Sequence, residues 1–347
     1  MRHPVVAQDL ADVAGRSLPF SELAGASVLI TGAAGFLPAY VAETLLFLNE
    51  TRGLGATVVG LVRDPAKARR RFAHYRGRRD LKLVRQDAGA PLARGLPADF
   101  VIHAASQASP RFYRSDPAGT LAPNVLGTWR LLELARRRRT RGFLFFSSSE
   151  VYGEVAACRG PVAETDWGPL DPLSERACYA EGKRAGEALC GAWRRQHGVA
   201  ARVVRLFHTY GPGMPLGDGR VFCDFVADLL RGRRIVVKGD GRAVRSFSYL
   251  ADSVAGVFTV LLKGSAGEAY NVGQDRAALS VDRFARLLVR LFPERRLRVV
   301  RRQSAGSEPP GGAPRRIVPD LSRLRRLGWR PHFSLEDGLR RTVESFS

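Results

Sequence analysis

Tyr179 and Lys183 are the residues whose types and spacing first suggest chemistry. They stand four residues apart, so on a helix both side chains project from one face, with an ammonium group beside a phenol. A nearby positive charge favours the phenolate, so Lys183 is expected to lower the pKa of Tyr179 and let it accept a proton from a substrate hydroxyl. Such pairs also occur by chance in helices without a catalytic role, so the interpretation depends on the surrounding elements.

A glycine turn between a strand and a helix is the second feature that predicts a binding site. A buried strand over 27–30 leads to Gly32 and Gly35, and a helical pattern follows over 39–49. Glycines let the backbone approach a pyrophosphate, and a helix N-terminus offers amide donors, so the turn is typical of a dinucleotide site. Pro38 replaces a third glycine, which the first turn of a helix tolerates. A tight turn without a ligand is the alternative.

The end of the second predicted strand, 57–62, affects the choice of dinucleotide. It continues into Arg63 and Asp64. An acidic residue at this point would bind the ribose of NAD, whereas an arginine could bind the extra phosphate of NADP. Both residues are present, so the sequence leaves both cofactors open.

The remaining pattern predicts an α/β fold built on a Rossmann-like, doubly wound parallel sheet. Further elements are predicted as strands over 81–84, 100–103, 143–146 and 201–207, and as helices over 117–139 and 178–197. Beyond residue 207 the elements shorten and turns become frequent, which predicts a smaller C-terminal α/β lobe. We expect an N-terminal extension (1–24), a dinucleotide-binding domain (25–207) and a mainly substrate-binding lobe (208–347), with ligand between the sheet and the lobe. Residues 304–314 are rich in Gly, Pro and Ser and are expected to form a mobile loop.

Composition limits the classes of protein. The 347 residues are 45% hydrophobic, yet no apolar run reaches the length of a membrane span and the N-terminus does not resemble a signal peptide, so we expect a cytoplasmic protein without a membrane partner. The cysteines are not spaced as metal ligands, so we expect buried thiols and no metal site. They are Cys158, Cys178, Cys190 and Cys223.

The net charge of +22 raises the possibility of nucleic-acid binding. However, the positive charge is almost all arginine, scattered in short clusters such as 136–139, without interleaved aromatic residues for base stacking. We therefore predict a solvated basic surface and no nucleic-acid partner, with some arginines attracting an anionic substrate. A non-catalytic protein that binds dinucleotide or nucleic acid is the alternative class.

Several segments together resemble the extended short-chain dehydrogenase/reductase superfamily, whose members include nucleotide-sugar epimerases and dehydratases. The resemblance covers nearly the whole chain and is greatest to the UDP-glucuronate decarboxylases, or UDP-xylose synthases. The segments that carry it are 105–113, 148–153, 176–184, 209–212, 218–221, 239–241 and 245–247.

The resemblance implies a catalytic set in which Tyr179 is the base, Lys183 holds Tyr179 and the nicotinamide ribose, and Ser148 orients the sugar hydroxyl. The other two members of the set are Glu150 and Arg245. The implied cofactor-binding residues are Gly32, Gly35, Phe36, Leu37, Arg63, Asp87, Ala104, Ala105, Ser106, Thr120, Ser147, Tyr179 and Lys183. The implied substrate-binding residues are Tyr113, Ser148, Ser149, Glu150, His208, Arg220 and Arg245.

The reaction that the resemblance implies is NAD-dependent decarboxylation of UDP-glucuronic acid through a 4-keto intermediate. The product would be UDP-4-keto-pentose, UDP-xylose or both. Dehydratases of the superfamily place an Asp where this chain has Ser149, which speaks against 4,6-dehydration. An epimerase or dehydratase on the same scaffold is the alternative. The resemblance also implies a homodimer packed through the helices over 117–139 and 178–197.

Overall fold

The computed structural model describes residues 2–153, 160–276, 278–302 and 316–347. Cys158 and the predicted loop over 304–314 lie outside the described residues. The strands are β1 (Ser27–Thr31), β2 (Thr57–Val62), β3 (Leu81–Arg85), β4 (Phe100–His103), β5 (Gly142–Ser148), β6 (Ala201–Leu206), β7 (His208–Tyr210), β8 (Ile235–Lys238), β9 (Val244–Tyr249), β10 (Ala269–Val272), β11 (Ala278–Ser280), β12 (Val299–Arg302) and β13 (Arg316–Ile317).

The α-helices include the one that carries Tyr179 and Lys183, as the sequence predicts. They are α1 (Pro4–Gly15), α2 (Phe36–Arg52), α3 (Pro65–Arg71), α4 (Arg111–Ser115), α5 (Pro117–Ala122), α6 (Thr128–Arg138), α7 (Ala177–His197), α8 (Val221–Leu230), α9 (Leu250–Lys263), α10 (Val281–Leu291), α11 (Ser322–Arg326) and α12 (Leu335–Glu344). No described helix is long and apolar enough to cross a membrane.

A parallel sheet of seven strands forms the centre, in the order β10-β6-β5-β4-β1-β2-β3. Helices α1, α2 and α9 cover one face, and α5, α6 and α7 cover the other. Parallel strands with helices on both faces bury both sides of the sheet, which explains why β4 and β5 are apolar along almost their whole length. The predicted Rossmann-like fold is confirmed.

The predicted helix over 117–139 is interrupted. It consists of α5, a π-helical segment (Pro123–Gly127) and α6. The Pro123 carbonyl, at the start of the π segment, accepts a hydrogen bond from His103 Nε2 at 2.9 Å. A single helical pattern in the sequence does not reveal this extra residue per turn.

The segment predicted as an N-terminal extension is packed into the core. Helix α1 contacts α2 and α9, and its side chains Leu10 and Val13 are fully buried. Its residue Asp9 is also fully buried and accepts hydrogen bonds from Tyr40, Tyr249 and Arg341. One carboxylate thereby joins both ends of the chain to the centre.

The chain beyond residue 207 contributes both to the main sheet and to the smaller lobe. Strand β10 and helix α9 belong to the main sheet and its covering layer, so the C-terminal part is not confined to the lobe. The lobe itself contains a small sheet of β7, β9, β11 and β13, and the pair β8–β12. A cluster of aromatic rings that includes Phe247 and Phe284, 4.4 Å apart, packs beneath it.

We expect Asp9→Ala to lower the free energy of unfolding by about 3 kcal/mol or more, because Arg341 and two tyrosine hydroxyls lose their shared buried acceptor. Urea denaturation measures the effect. Glu344→Gln, an exposed change on α12, is the control and should alter stability by less than about 0.5 kcal/mol. Equal stability of the two variants would mean that the hydrogen bonds of Asp9 do not stabilise the fold.

Candidate active site

A cleft of about 1150 Å³ lies at the carboxyl ends of the central strands, between the sheet and the lobe. The carboxyl edge of a doubly wound sheet is where such folds bind ligands. All the candidate site residues line this cleft except Thr120, which is fully buried and whose hydroxyl donates to the Asp116 carbonyl inside α5. Thr120 therefore lies outside the lining of the cleft, and its contact with cofactor stays a prediction.

The glycine turn after β1 lets the backbone pass close to the loop that follows β4 and leaves room for a ligand beside it. Gly32 has φ +64°, and a Cβ there would lie 2.9 Å from Ala105 Cα, so both conformation and space require glycine. Gly35 is the N-cap of α2, whose first amide groups face the cleft through Phe36 and Leu37. This cradle fits the pyrophosphate of a dinucleotide, and a larger residue at position 32 would fill it.

A hydrogen-bond network fixes the loop that follows β4. Because the Pro123 carbonyl can only accept, His103 carries its proton on Nε2, and Nδ1 accepts from Thr31 Oγ1 at 2.8 Å. The Thr31 oxygen in turn accepts from the amides of Ala104 (3.0 Å) and Ala105 (2.9 Å). Burial and the charge of Lys183 hold the pKa of His103 at about 3, so the ring stays neutral.

The end of β2 carries a positive side chain toward the cleft. Arg63 is exposed there, while the Asp64 carboxylate accepts from the amides of Ala66 (2.9 Å) and Lys67 (3.0 Å) as the N-cap of α3. The Asp64 carboxylate, which could have bound the ribose of NAD, is thus already bound to the amides at the start of α3.

Tyr179 and Lys183 lie on the face of α7 that points to the cleft. The Tyr179 ring stacks on Tyr113 with centroids 5.2 Å apart, and Lys183 Nζ lies 5.7 Å from the Tyr179 ring centroid. Lys183 is 2% exposed, and its Nζ donates to the Phe146 carbonyl at 2.6 Å. The structure therefore brings the predicted pair together.

The expected lowering of the Tyr179 pKa by Lys183 is wrong. Burial raises the pKa of Tyr179 to about 12, although the Ser148 hydroxyl and two arginines oppose the rise. Burial also lowers the pKa of Lys183 to about 7, so its charge is only partly present at neutral pH. Desolvation outweighs the attraction between the two groups because both are enclosed.

Helix α7 can lie this close to the sheet because residue 186 is glycine. A Cβ at Gly186 would collide with the Phe145 ring of β5. The same ring lies 4.9 Å from Lys183 Nζ, so close packing of helix and strand sets the depth of the amine.

Charged residues lie close to Tyr179 in the cleft. Glu150 accepts a hydrogen bond from Arg176 Nη2 at 2.9 Å, and Arg220 is paired with Asp218. Arg245 donates to its own neighbour's carbonyl, Val244 O, at 2.9 Å, and has no carboxylate partner among the described residues.

His208 lies beside these groups. Its Nδ1 is buried without a hydrogen-bond partner in the described part of the chain. Burial and the surrounding arginines hold the pKa of the ring at about 3, so it is neutral in the ligand-free cleft.

Two residues of the cleft were not predicted as site residues from the sequence. Arg176, besides binding Glu150, lies over the Tyr113 ring at 5.6 Å. Gln107 is buried, and its Nε2 donates to Asp116 Oδ2 at 2.7 Å, which turns its unpartnered Oε1 away from that carboxylate. Both residues belong to segments that resemble the superfamily, Arg176 to 176–184 and Gln107 to 105–113, so a signal for each was present although neither was predicted as a site residue.

The chain belongs to the NAD dependent epimerase/dehydratase family, whose model matches residues 28–273. Among its relatives, UDP-glucuronic acid decarboxylase 1 of Xenopus tropicalis is 35% identical over 92% of this chain and 72% of the relative. UDP-glucuronic acid decarboxylase 6 of Arabidopsis thaliana is 34% identical over 92% of this chain and 88% of the relative. The predicted membership in the extended short-chain dehydrogenase/reductase superfamily is confirmed, and the chain is an enzyme of this kind.

Solved structures support the same fold and cofactor. A dTDP-glucose 4,6-dehydratase from Streptomyces venezuelae with NAD bound superposes with a TM-score of 0.78 at 27% identity, covering 92% of this chain and 96% of that one. A UDP-glucose 4-epimerase from Thermotoga maritima gives a TM-score of 0.77 at 26% identity, covering 92% and 98%. The prediction of NAD as the cofactor of this family is confirmed.

We expect the buried amine of Lys183 to make stability depend on pH. Its pKa is about 7 in the folded chain against 10.5 for the unfolded group, so between these values the unfolded state binds more protons. The free energy of unfolding contributed by Lys183 should rise with pH over this window, by up to about 1.4 kcal/mol per pH unit.

Urea denaturation of the wild type and of Lys183→Met from pH 6 to pH 10 isolates this contribution, because all other titrating groups cancel in the difference. A difference that does not change with pH would show that the amine titrates in the folded chain as it does in the unfolded chain.

Proposed function

We propose that this enzyme decarboxylates UDP-glucuronic acid through a 4-keto intermediate and releases UDP-4-keto-pentose, UDP-xylose or both. The observation that carries the proposal is Arg245. It is a partly buried guanidinium without a carboxylate partner in the described chain, and it lines the same cleft as Glu150 and the Tyr179–Lys183 pair. A partly buried, unpaired cation favours an anionic substrate.

The residues at positions 148–150 support decarboxylation over dehydration. Ser148 and Ser149 are hydroxyls, and Glu150 is held by Arg176. Elimination of water at carbon 6 needs an acid where Ser149 stands. Loss of carbon dioxide needs none, because a carboxylate on carbon 5 becomes labile once carbon 4 is a ketone.

In the proposed mechanism Tyr179 accepts the proton of the carbon 4 hydroxyl while Ser148 orients that hydroxyl. A dinucleotide held at the glycine turn, with Lys183 at its nicotinamide ribose, would supply the acceptor for the hydride of carbon 4 and the donor for its return. The bond between carbon 5 and the carboxyl carbon then breaks, carbon dioxide leaves, and its electron pair forms an enolate that Tyr179 and Ser148 stabilise by hydrogen bonds. Protonation of carbon 5 gives the 4-keto pentose.

The proposed binding residues follow from the same arrangement. The turn at Gly32 and Gly35 and the loop at Ala104–Ser106 would hold the dinucleotide, with Lys183 at its nicotinamide ribose. Three residues from the lobe would bind the sugar and diphosphate of the substrate: His208, Arg220 and Arg245. We retain residue 207 as the proposed end of the dinucleotide-binding domain.

Incubation with UDP-glucuronate and NAD should release carbon dioxide and give a pentose-linked nucleotide by mass spectrometry. Tyr179→Phe should lower kcat by about 100-fold or more, since it removes the phenol that accepts the hydroxyl proton, and should leave NAD binding nearly unchanged. Glu181→Gln, a change at a partly exposed residue on the same helix, is the control. Turnover of a neutral nucleotide hexose without carbon dioxide would favour an epimerase or dehydratase.

We also propose that the chain is a homodimer. Leu121, Leu126 and Trp129 are large apolar side chains on α5, the π segment and α6, with exposures of 37%, 49% and 52%. Contiguous exposed apolar residues of this kind are typical of a protein interface. The helices α5 to α7 would form it.

The double variant Leu126→Glu, Trp129→Arg should sediment as a monomer where the wild type sediments as a dimer, because it places charges in a buried apolar contact. Trp167→Arg, a change at an exposed tryptophan elsewhere, is the control. A wild-type monomer, or a double variant that stays dimeric, would contradict this interface.

A further inference from the structure

Glu187 lies one turn beyond Lys183 on α7, behind the cleft. Residues four apart on a helix are neighbours on one face, so Tyr179, Lys183 and Glu187 form one row. Glu187 is not part of the cleft lining, and the mechanism above does not use it.

The Glu187 carboxylate is held rigidly. Ser147 Oγ donates to its Oε1 at 2.5 Å, and Arg205 of β6 donates through Nε at 3.0 Å and Nη2 at 2.7 Å to its two oxygens. Arg205 is itself buried and donates to the Tyr152 hydroxyl (3.1 Å) and the Glu164 carbonyl (2.8 Å). Such a bidentate pair fixes the position of the carboxylate as well as its charge.

Lys183 has few other charges around it. His103 of β4 is neutral and Tyr179 is protonated, while β5 contributes only the Phe145 ring and the Phe146 carbonyl. The segments α5 and 123–127 contain no charged residue, and Glu133 of α6 is bound to Trp193 toward the other end of α7.

We propose that Glu187 is a positioning residue of the active site, whose fixed carboxylate supplies the counter-charge that keeps the Lys183 ammonium beneath Tyr179. The proposal rests on the proposed function only in taking Tyr179 and Lys183 as the reacting pair. Arg205 holds the carboxylate in place and its own positive charge opposes part of the effect on Lys183. Consistent with this arrangement, Glu187 is the neighbour whose charge raises the pKa of Lys183 against the effect of burial.

The test measures the free energy of unfolding from pH 5 to pH 10, which involves no substrate. In Glu187→Gln the rise due to Lys183 should begin about one pH unit lower than in the wild type, because the ammonium loses its counter-charge. The same substitution in a Lys183→Met background should show no such shift. A loss of stability that is equal at every pH would mean that Glu187 has only a structural role and would overturn the proposal.

A second variant covers the case in which Glu187→Gln leaves Arg205 unpaired and fails to fold. Glu187→Leu with Arg205→Met replaces the ion pair by apolar groups of similar size, which is often tolerated. In this double variant the free energy of unfolding should begin to rise at a pH between the starting points of the wild type and of Glu187→Gln. A rise that begins at or above the wild-type pH would overturn the proposal. Glu181→Gln on the same helix should leave the pH at which this rise begins unchanged. Because a wrong substrate assignment changes none of these curves, the two proposals can fail separately.

Discussion

A buried amine is the constraint on which the site depends. Lys183 is enclosed between α7 and β5, with one backbone carbonyl as its hydrogen-bond acceptor in the described structure. Removing a cation from water is costly, so the surroundings must either compensate the charge or release its proton. Three neighbours partly compensate the charge: the Phe146 carbonyl, the Phe145 ring and the Glu187 carboxylate. The pKa of the amine therefore stays near neutral pH, where a charged ligand can change whether the amine is protonated.

The sheet brings this amine to the other polar groups. Parallel strands end at one edge, so Thr31, His103 and Ser147 to Ser149 meet there although they are far apart in the chain. The network from His103 to Thr31 orders the backbone beside the glycine turn, and the Glu187–Arg205 pair orders the serine segment. Both networks lie beneath the cleft, so the ligand-facing groups are held by neighbours that need not touch ligand.

The sequence predicted these strand ends well because apolar runs and glycines are local signals. It failed where the outcome depends on enclosure or on distant partners. The pKa of Tyr179 rises because α7 is buried, which helical spacing does not reveal. Arg176 reaches Glu150 across 26 residues of chain, which no local pattern indicates. Strand β9 was missed because its pairing partners, β7, β11 and β13, are too short to be recognised.

The glycine at position 186 has a further consequence for how such a site could diverge. Tyr179, Lys183 and Glu187 share one rigid helix, so they advance or retreat together with the spacing between α7 and Phe145. A larger residue at 186 and a smaller one at 145 would form a compensating pair that resets this spacing. The chemistry could then be tuned across the interface of a helix and a strand, while every group that meets the sugar keeps its identity.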